Sequence, residues 1–201
     1  MNGVASTSMR RRGYRYKVIF GLTLPQIKAI ASTLPRRTSL AENLWCESIR
    51  ESKILATLLL PDESVTVELA ECWLAAIDHD ELIDFLAMNV FSRLPSPLEW
   101  AITQLDRADL CSSELFCDRF PEAGCATLAR CFTLRTRPTH EQQRAIDTWL
   151  LDRPLTIRIA AMLRKYVRLH ESPTSLINHF QQHEALHEEL LLESQMLRGE
   201  V

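Results

Sequence analysis

Residues 23–62 read TLPQIKAIASTLPRRTSLAENLWCESIRESKILATLLLPD, and the punctuation of this stretch decides the fold class. Thr23 suits a helix N-cap and Pro25 a first turn, because the first N–H groups of a helix have no partner inside it. Ile27, Ile30 and Ala31 recur at helical spacing as far as Leu34, where Pro35 stops the run. Ser39 then caps a longer predicted helix. Its Leu40, Leu44, Trp45, Ile49, Leu55, Leu58 and Leu59 share one apolar face, and Pro61-Asp62 ends it.

The same grammar continues along the chain. Helices are predicted over 64–77 and 81–94, and another from Pro97 carries Trp100, Ile102 and Leu105. A helical region beginning at Ser112 or Ser113 is interrupted at Pro121 and Gly124 and resumes through Leu128, Cys131 and Phe132. Thr139 followed by Gln142 is a capping box that opens a helix with Ile146, Trp149 and Leu150. Helices over 154–170 and 176–197 complete the pattern, and no segment alternates with the period of a strand. Helix pairs recurring at roughly 40 residues are what HEAT-like repeats present. The expectation is an all-α chain of HEAT-like helical repeats forming a curved α-α superhelix. It is read as one domain over 1–201, with 1–20 a basic N-terminal arm and 174–201 a charged C-terminal helix.

Composition agrees. The 201 residues are 46% hydrophobic and 24% charged, which excludes disordered and collagen-like chains. Five glycines and nine prolines are too few for a turn-rich β domain. The most apolar run, residues 54–60, is far short of the roughly 20 residues a membrane span needs. No signal-peptide pattern follows the basic N-terminus, and the cysteines at 46, 72, 111, 117, 125 and 131 include no C-x-x-C pair. Reduced thiols, a cytoplasmic location and no membrane contact are therefore expected.

The net charge of −3 hides a segregation. Residues 1–41 carry eight basic and no acidic side chains, and residues 42–106 carry three and thirteen. Residues 107–168 carry eleven and seven, and 169–201 one and six. Polyanions respond to local patches rather than to net charge, so the basic blocks are candidate phosphate contacts, or else solvated faces.

No P-loop, G-x-G-x-x-G, G-x-S-x-G or H-E-x-x-H pattern occurs, which sets aside nucleotide-dependent enzymes and the common hydrolases. Cys111, Cys117, Cys125 and Cys131 are spaced too widely for a zinc site and read as buried thiols. His179, His183 and His187 lie at i, i+4, i+8, one face of a predicted last helix. That face is either solvated or a surface for a divalent metal. No cofactor or metal is assigned. Trp45, Trp73, Trp100 and Trp149 each fall on an apolar face and are expected in the core, and Arg50-Glu51 is read as an interhelical salt bridge.

Three segments taken together carry a resemblance. The first is Arg10-Arg-Arg-Gly13 leading into Phe20-Gly-Leu-Thr-Leu-Pro-Gln-Ile-Lys-Ala-Ile-Ala31. The second is Leu40-Ala-Glu-Asn-Leu-Trp45 followed by Arg50-Glu51-Ser-Lys-Ile-Leu-Ala56, and the third is Cys72-Trp73 with Asp80-Glu-Leu-Ile-Asp84. In order and spacing, over about residues 10–95, they resemble the DNA alkylation repair family of AlkD-like proteins built from HEAT-like repeats.

The resemblance implies hydrolysis of the N-glycosidic bond of alkylated purines in duplex DNA. The cationic lesion is already a good leaving group, so the enzyme mainly needs an anion near the sugar as oxocarbenium character develops. Asp84 falls at the position of the family's aspartate, and Asp80 stands where the family pattern has a tryptophan. Both are candidate catalytic residues. Ala123 stands where the pattern has a phosphate-holding arginine, with Arg119 close by but out of register. The candidate DNA contacts are Arg10, Arg11, Arg12, Arg15, Lys17, Arg36, Arg37, Arg119 and Arg158, with Arg130, Arg135 and Arg137 beside them.

The residues taken by themselves leave Asp80 and Asp84 open as an exposed acidic helix start, favoured there by the helix dipole. Two readings of function therefore stand: an alkylpurine glycosylase, or a catalytically inactive HEAT-like module that binds a protein or a nucleic-acid structure.

Overall fold

The computed structural model of the chain describes residues 3–11, 13–14, 16–77, 79–107 and 119–196. Arg12, Arg15, Asp78, Cys111, Ser112, Ser113, Cys117 and Leu197 lie outside the described residues. Every regular element among the described residues is a helix, as the sequence pattern requires, and one isolated parallel bridge joins Val18 to Ile49. No helix among them is long and apolar enough to cross a membrane. The chain divides into two compact units, Met1–Pro95 and Ser96–Val201.

The first unit contains α1 (Gly3–Arg11), α2 (Leu24–Ala31), α3 (Thr38–Cys46), α4 (Arg50–Leu59), α5 (Val67–Ala75) and α6 (Glu81–Asn89). Helix α1 lies inside the segment expected as a basic arm, and it buries none of its residues. At the start of α2 the capping box forms, the Thr23 N–H donating to Gln26 Oε1 at 2.9 Å. Helix α4 packs against α2, α3 and α6 around Ile27, Ile54, Ala56, Leu59, Leu82 and Leu86, all essentially inaccessible to water. Trp45 and Trp73 stack nearly parallel with ring centres 4.5 Å apart.

Several boundaries in this unit differ from the sequence expectation: α3 starts at Thr38, before the expected Ser39 cap, and the helix expected over 81–94 ends at Asn89. The helix expected to run from Ser39 to Pro61 breaks between Cys46 and Arg50, where Ile49 is extended (φ −122°, ψ 123°) and pairs with Val18. The helix expected over 64–77 starts only at Val67, because Thr66 Oγ1 accepts the Leu69 N–H at 3.2 Å and makes the cap. Asp62–Ser64 is a separate 3₁₀ turn, and another, Phe91–Arg93, follows α6.

The second unit contains α7 (Pro97–Leu105), α8 (Arg119–Thr133), α9 (His140–Leu151), α10 (Ile157–Tyr166), α11 (Thr174–His179) and α12 (Glu184–Met196). Helix α8 runs through Pro121 and Gly124 without interruption. Pro121 sits in the first turn, where a missing N–H breaks no helical bond. Gly124 lies where α8 comes closest to α7: a Cβ there would stand 2.7 Å from the Ala101 carbonyl oxygen.

Trp149 Nε1 donates to the Leu105 carbonyl at 3.0 Å, tying α9 to the end of α7. Asp147 on α9 accepts from the Tyr166 hydroxyl at 2.9 Å and bonds His170 Nε2 at 3.0 Å. Because His170 Nδ1 accepts the Ser172 N–H at 3.0 Å, the proton of the neutral ring is on Nε2, aimed at Asp147. Burial, together with the Asp147 charge, pushes the Tyr166 phenol up.

The single C-terminal helix expected over 176–197 is broken after His179, and the turn at 180–183 separates α11 from α12. His179, His183 and His187 therefore lie at a helix end, in a turn and on the next helix, and the one-face stripe does not form. Among the described residues no group of three His, Cys, Asp or Glu side chains is arranged to hold a metal. All four tryptophans are buried, as expected. So are Cys125 and Cys131, and burial pushes the Cys131 thiol up to about 11.

Gly124→Val should force α7 and α8 apart, because the opposing atom is a backbone oxygen that cannot rotate away. A loss of about 2–3 kcal/mol is expected, read as a lower urea midpoint at unchanged slope.

Candidate functional site

Three adjacent backbone N–H groups begin the site. Phe20, Gly21 and Leu22 donate to the Glu51 carboxylate at 3.0, 2.9 and 3.2 Å. Gly21 makes this curl possible, since its φ of 75° is in the left-handed region where a Cβ is strained. Glu51 is in the first turn of α4, where a carboxylate also suits the helix dipole. The break after Cys46 is what gives α4 a new N-terminus at this point.

Arg50, the first residue of α4, reaches away from its sequence neighbour. Its Nε donates to Glu81 Oε1 at 2.9 Å and its Nη2 to Glu81 Oε2 at 3.1 Å, a two-pronged pair. Its Nη1 donates to the Leu22 carbonyl at 3.3 Å and stands 3.5 Å from Glu51 Oε1. The Tyr16 hydroxyl donates to Glu81 Oε1 at 3.0 Å. Burial pulls the Arg50 guanidinium down, yet the bond to Glu81 and the charges of Glu81 and Glu51 leave it above its ordinary value. The interhelical salt bridge expected at Arg50-Glu51 forms between Arg50 on α4 and Glu81 on α6. A partner 31 residues away leaves no signal in local spacing.

Glu81 is the first residue of α6, so this pair fixes where α6 starts and how it is rotated. Asp80 immediately precedes it, exposed, and does not cap the helix. Asp84 is exposed one turn on, the same face predicted by the i, i+4 spacing. The His79 ring packs 5.0 Å from Tyr14 and 4.7 Å from Tyr16, so aromatic surface borders the acidic helix start. Tyr14, Tyr16 and His79 carried no sequence signal, since the chain brings them together only in the fold.

The basic candidates separate into classes. Arg11, Lys17 and Arg37 are exposed, and Arg10 is exposed while donating to the Tyr16 and Lys17 carbonyls at 3.3 and 3.2 Å. Arg36 is half-exposed, donates to the Leu60 carbonyl and pairs with Asp62 at 3.0 Å; Arg93 reaches the same carboxylate at 3.2 Å. The hydrogen bond from Arg36, with the Arg93 charge, holds the Asp62 carboxyl below its usual range. In the second unit Arg119 is buried, and Arg158 pairs with Glu122 at 2.9 Å with both side chains largely covered. Ala123 is fully buried on α8.

Arg50→Ala should cost about 3 kcal/mol in urea unfolding, because it leaves the buried Glu51 and the half-buried Glu81 without their cation. Arg50→Lys should recover only part of the loss, since an ammonium cannot make the two-pronged contact.

Comparison with known proteins gives one match. The family model described as DNA alkylation repair enzyme fits residues 4–106, which is half of the chain and includes all of α2 to α7. Neither a curated protein nor a solved structure matches the chain.

Proposed function

The chain belongs to the DNA alkylation repair enzyme family, and on that premise we propose that it is an N-glycosylase acting on alkylated purines in duplex DNA, with Asp84 as the anion that stabilises the transition state. An alkylated purine carries positive charge. When the C1′–N bond breaks, the electron pair leaves with the base and neutralises it, so no strong acid is needed at the leaving group. The charge passes to the sugar as an oxocarbenium-like centre, water adds at C1′ and loses a proton. A fixed carboxylate beside that centre lowers the barrier without reorganising.

The observation that carries this reading is the state of Asp84. It is an exposed carboxylate within the segment matched to the family, on a helix whose start is held by the half-buried Arg50–Glu81 pair. Such anchoring is what a positioned charge needs, since a carboxylate on a mobile loop would relax away from the reacting centre. The phosphate contacts in this reading are Arg10, Arg11, Lys17 and Arg37, which are exposed, with Arg36 recruited by exchanging Asp62 for a phosphate, and Arg12 and Arg15 in the same basic segment. Burial and pairing leave Arg119 and Arg158 little to offer a backbone phosphate. The HEAT-like superhelix implied by the resemblance belongs to the same reading, as does DNA as the partner.

One observation favours a second reading. Asp80 puts a second exposed carboxylate where the family pattern has an aromatic wall, and two carboxylates one turn apart repel phosphate. A helical module that binds without cleaving, its ligand a protein or a nucleic-acid structure, would have that composition.

Release of methylated base from alkylated duplex DNA separates the two. Wild type should release base, and Asp84→Asn should lower the rate about 100- to 1000-fold, the usual loss for one preorganised electrostatic group. Duplex binding should survive the substitution, because Asp84 is exposed and neutralising it removes repulsion. Absence of base release from wild type would leave the binding module.

A further inference from the structure

The second unit leaves one apolar side chain almost wholly in water. Ile157, the first residue of α10, is 90% exposed, more than any other large hydrophobic side chain among the described residues. Nothing at a helix start asks for an isoleucine, since the free N–H groups there favour polar and acidic residues. The side chain is also held still. Thr156 Oγ1 accepts the Ile159 N–H at 3.2 Å and fixes the first turn, and a β-branched residue has one dominant rotamer in a helix. Leu151 and Pro154, in the short connection before α10, are exposed as well.

A recess lies in the same part of the unit, lined by residues on either side of Ile157 in the chain. This pocket of about 100 Å³ is bounded by Pro154 and by the buried Cys125, Trp149 and Ile159. An apolar cavity of about 150 Å³ holds a benzene molecule, so this one has room for a single aliphatic side chain. Its charged members are one of each sign, Glu122 and Arg153. Arg153 packs 5.7 Å from the centre of the Trp149 ring and reaches Asp106 at 3.5 Å. Both side chains of that ion pair are exposed, so it is weak and can be exchanged for another.

We propose that this patch is a dimer interface, in which Ile157 of each copy of the chain enters the pocket of the other across a two-fold axis. A two-fold contact requires one surface to carry both halves of the complementarity. This surface carries a rigid projection, a recess of matching size, a cation and an anion. A foreign partner would use either the projection or the recess, and their presence on one patch is what points to a second copy. Arg153 then exchanges Asp106 for the partner's Glu122, so the charges bordering the pocket complement one another as the apolar parts do. A contact with one anchor per copy is small, and association in the micromolar range is expected. The proposal is independent of the glycosylase reading.

Sedimentation equilibrium of the full-length protein, over a series from low to high micromolar, tests it. The mean mass of wild type should climb toward twice that of one chain. Ile157→Lys should lower the dimer affinity by about 100-fold or more, because the two-fold axis removes the anchor twice. Its Tm at low concentration should stay with that of wild type, since the side chain is exposed in the single chain. Ile157→Trp separates a fitted contact from general stickiness. A ring too large for the pocket should weaken the dimer, whereas unspecific association would grow stronger. Arg153→Glu should also weaken it, by facing the partner's Glu122 with a like charge. A wild type that keeps the mass of one chain throughout the series overturns the proposal, as does a dimer that Ile157→Lys leaves unchanged. A lowered Tm of Ile157→Lys overturns it too, because the side chain would then be covered within its own chain. Base release from alkylated duplex bears only on the glycosylase reading.

Discussion

Arg50 holds together three stretches of the first unit that are distant in sequence. Its guanidinium grips Glu81 at the start of α6, touches the Leu22 carbonyl in the loop before α2, and stands beside Glu51, which gathers the N–H groups of residues 20–22. Tyr16 closes the ring by donating to Glu81. Ion pairs of this kind are not favourable by default, since desolvating two charges costs several kcal/mol and their attraction barely repays it. What makes this one favourable is saturation: each Glu51 and Glu81 oxygen has a donor. The pair then acts as a register pin, because Glu81 has to face both Arg50 and Tyr16.

That pin links a structural feature to the proposed function. Asp80 and Asp84 flank Glu81 on the same helix, so whatever fixes Glu81 fixes them. A charge meant to stabilise a transition state has to be in place beforehand, and in the proposed function that placement derives from the half-buried Arg50–Glu81 pair. The charges of the chain follow one logic throughout. Arg36 and Arg93 converge on Asp62, and four arginines of the second unit have carboxylate partners. Pairing thus lowers the positive charge mainly in the second unit, while Arg10, Arg11, Lys17 and Arg37 of the first stay exposed.

The helix content was legible because its signals are local. Thr23 with Gln26 and Thr139 with Gln142 form capping boxes within four residues, and Pro97 sits in a first turn. Where the expectation failed, the deciding interaction was not local. The apolar spacing from Leu40 to Leu59 continues straight across the break at 47–49, which exists because Ile49 pairs with Val18 and Glu51 receives a distant loop. Likewise α8 continues through Gly124, since the residue that would weaken an isolated helix is the one that allows contact with Ala101. The histidine spacing near the C-terminus was a property of a continuous helix, and it vanished with the turn at 180–183.

By itself, the sequence determined the all-α class, the starts of α2, α6, α7 and α9, the buried tryptophans, the family resemblance and the i, i+4 placement of Asp80 and Asp84. Each of these depends on the residue's own preference or on neighbours within a turn or two, so the information lies in the order of residues. Only the tertiary structure decided that Arg50 belongs to Glu81, that Tyr14, Tyr16 and His79 border the acidic helix, and which arginines are already neutralised. Those outcomes depend on Coulombic and hydrogen-bond partners tens of residues apart, and a short-range charge interaction has no value until folding sets the distance.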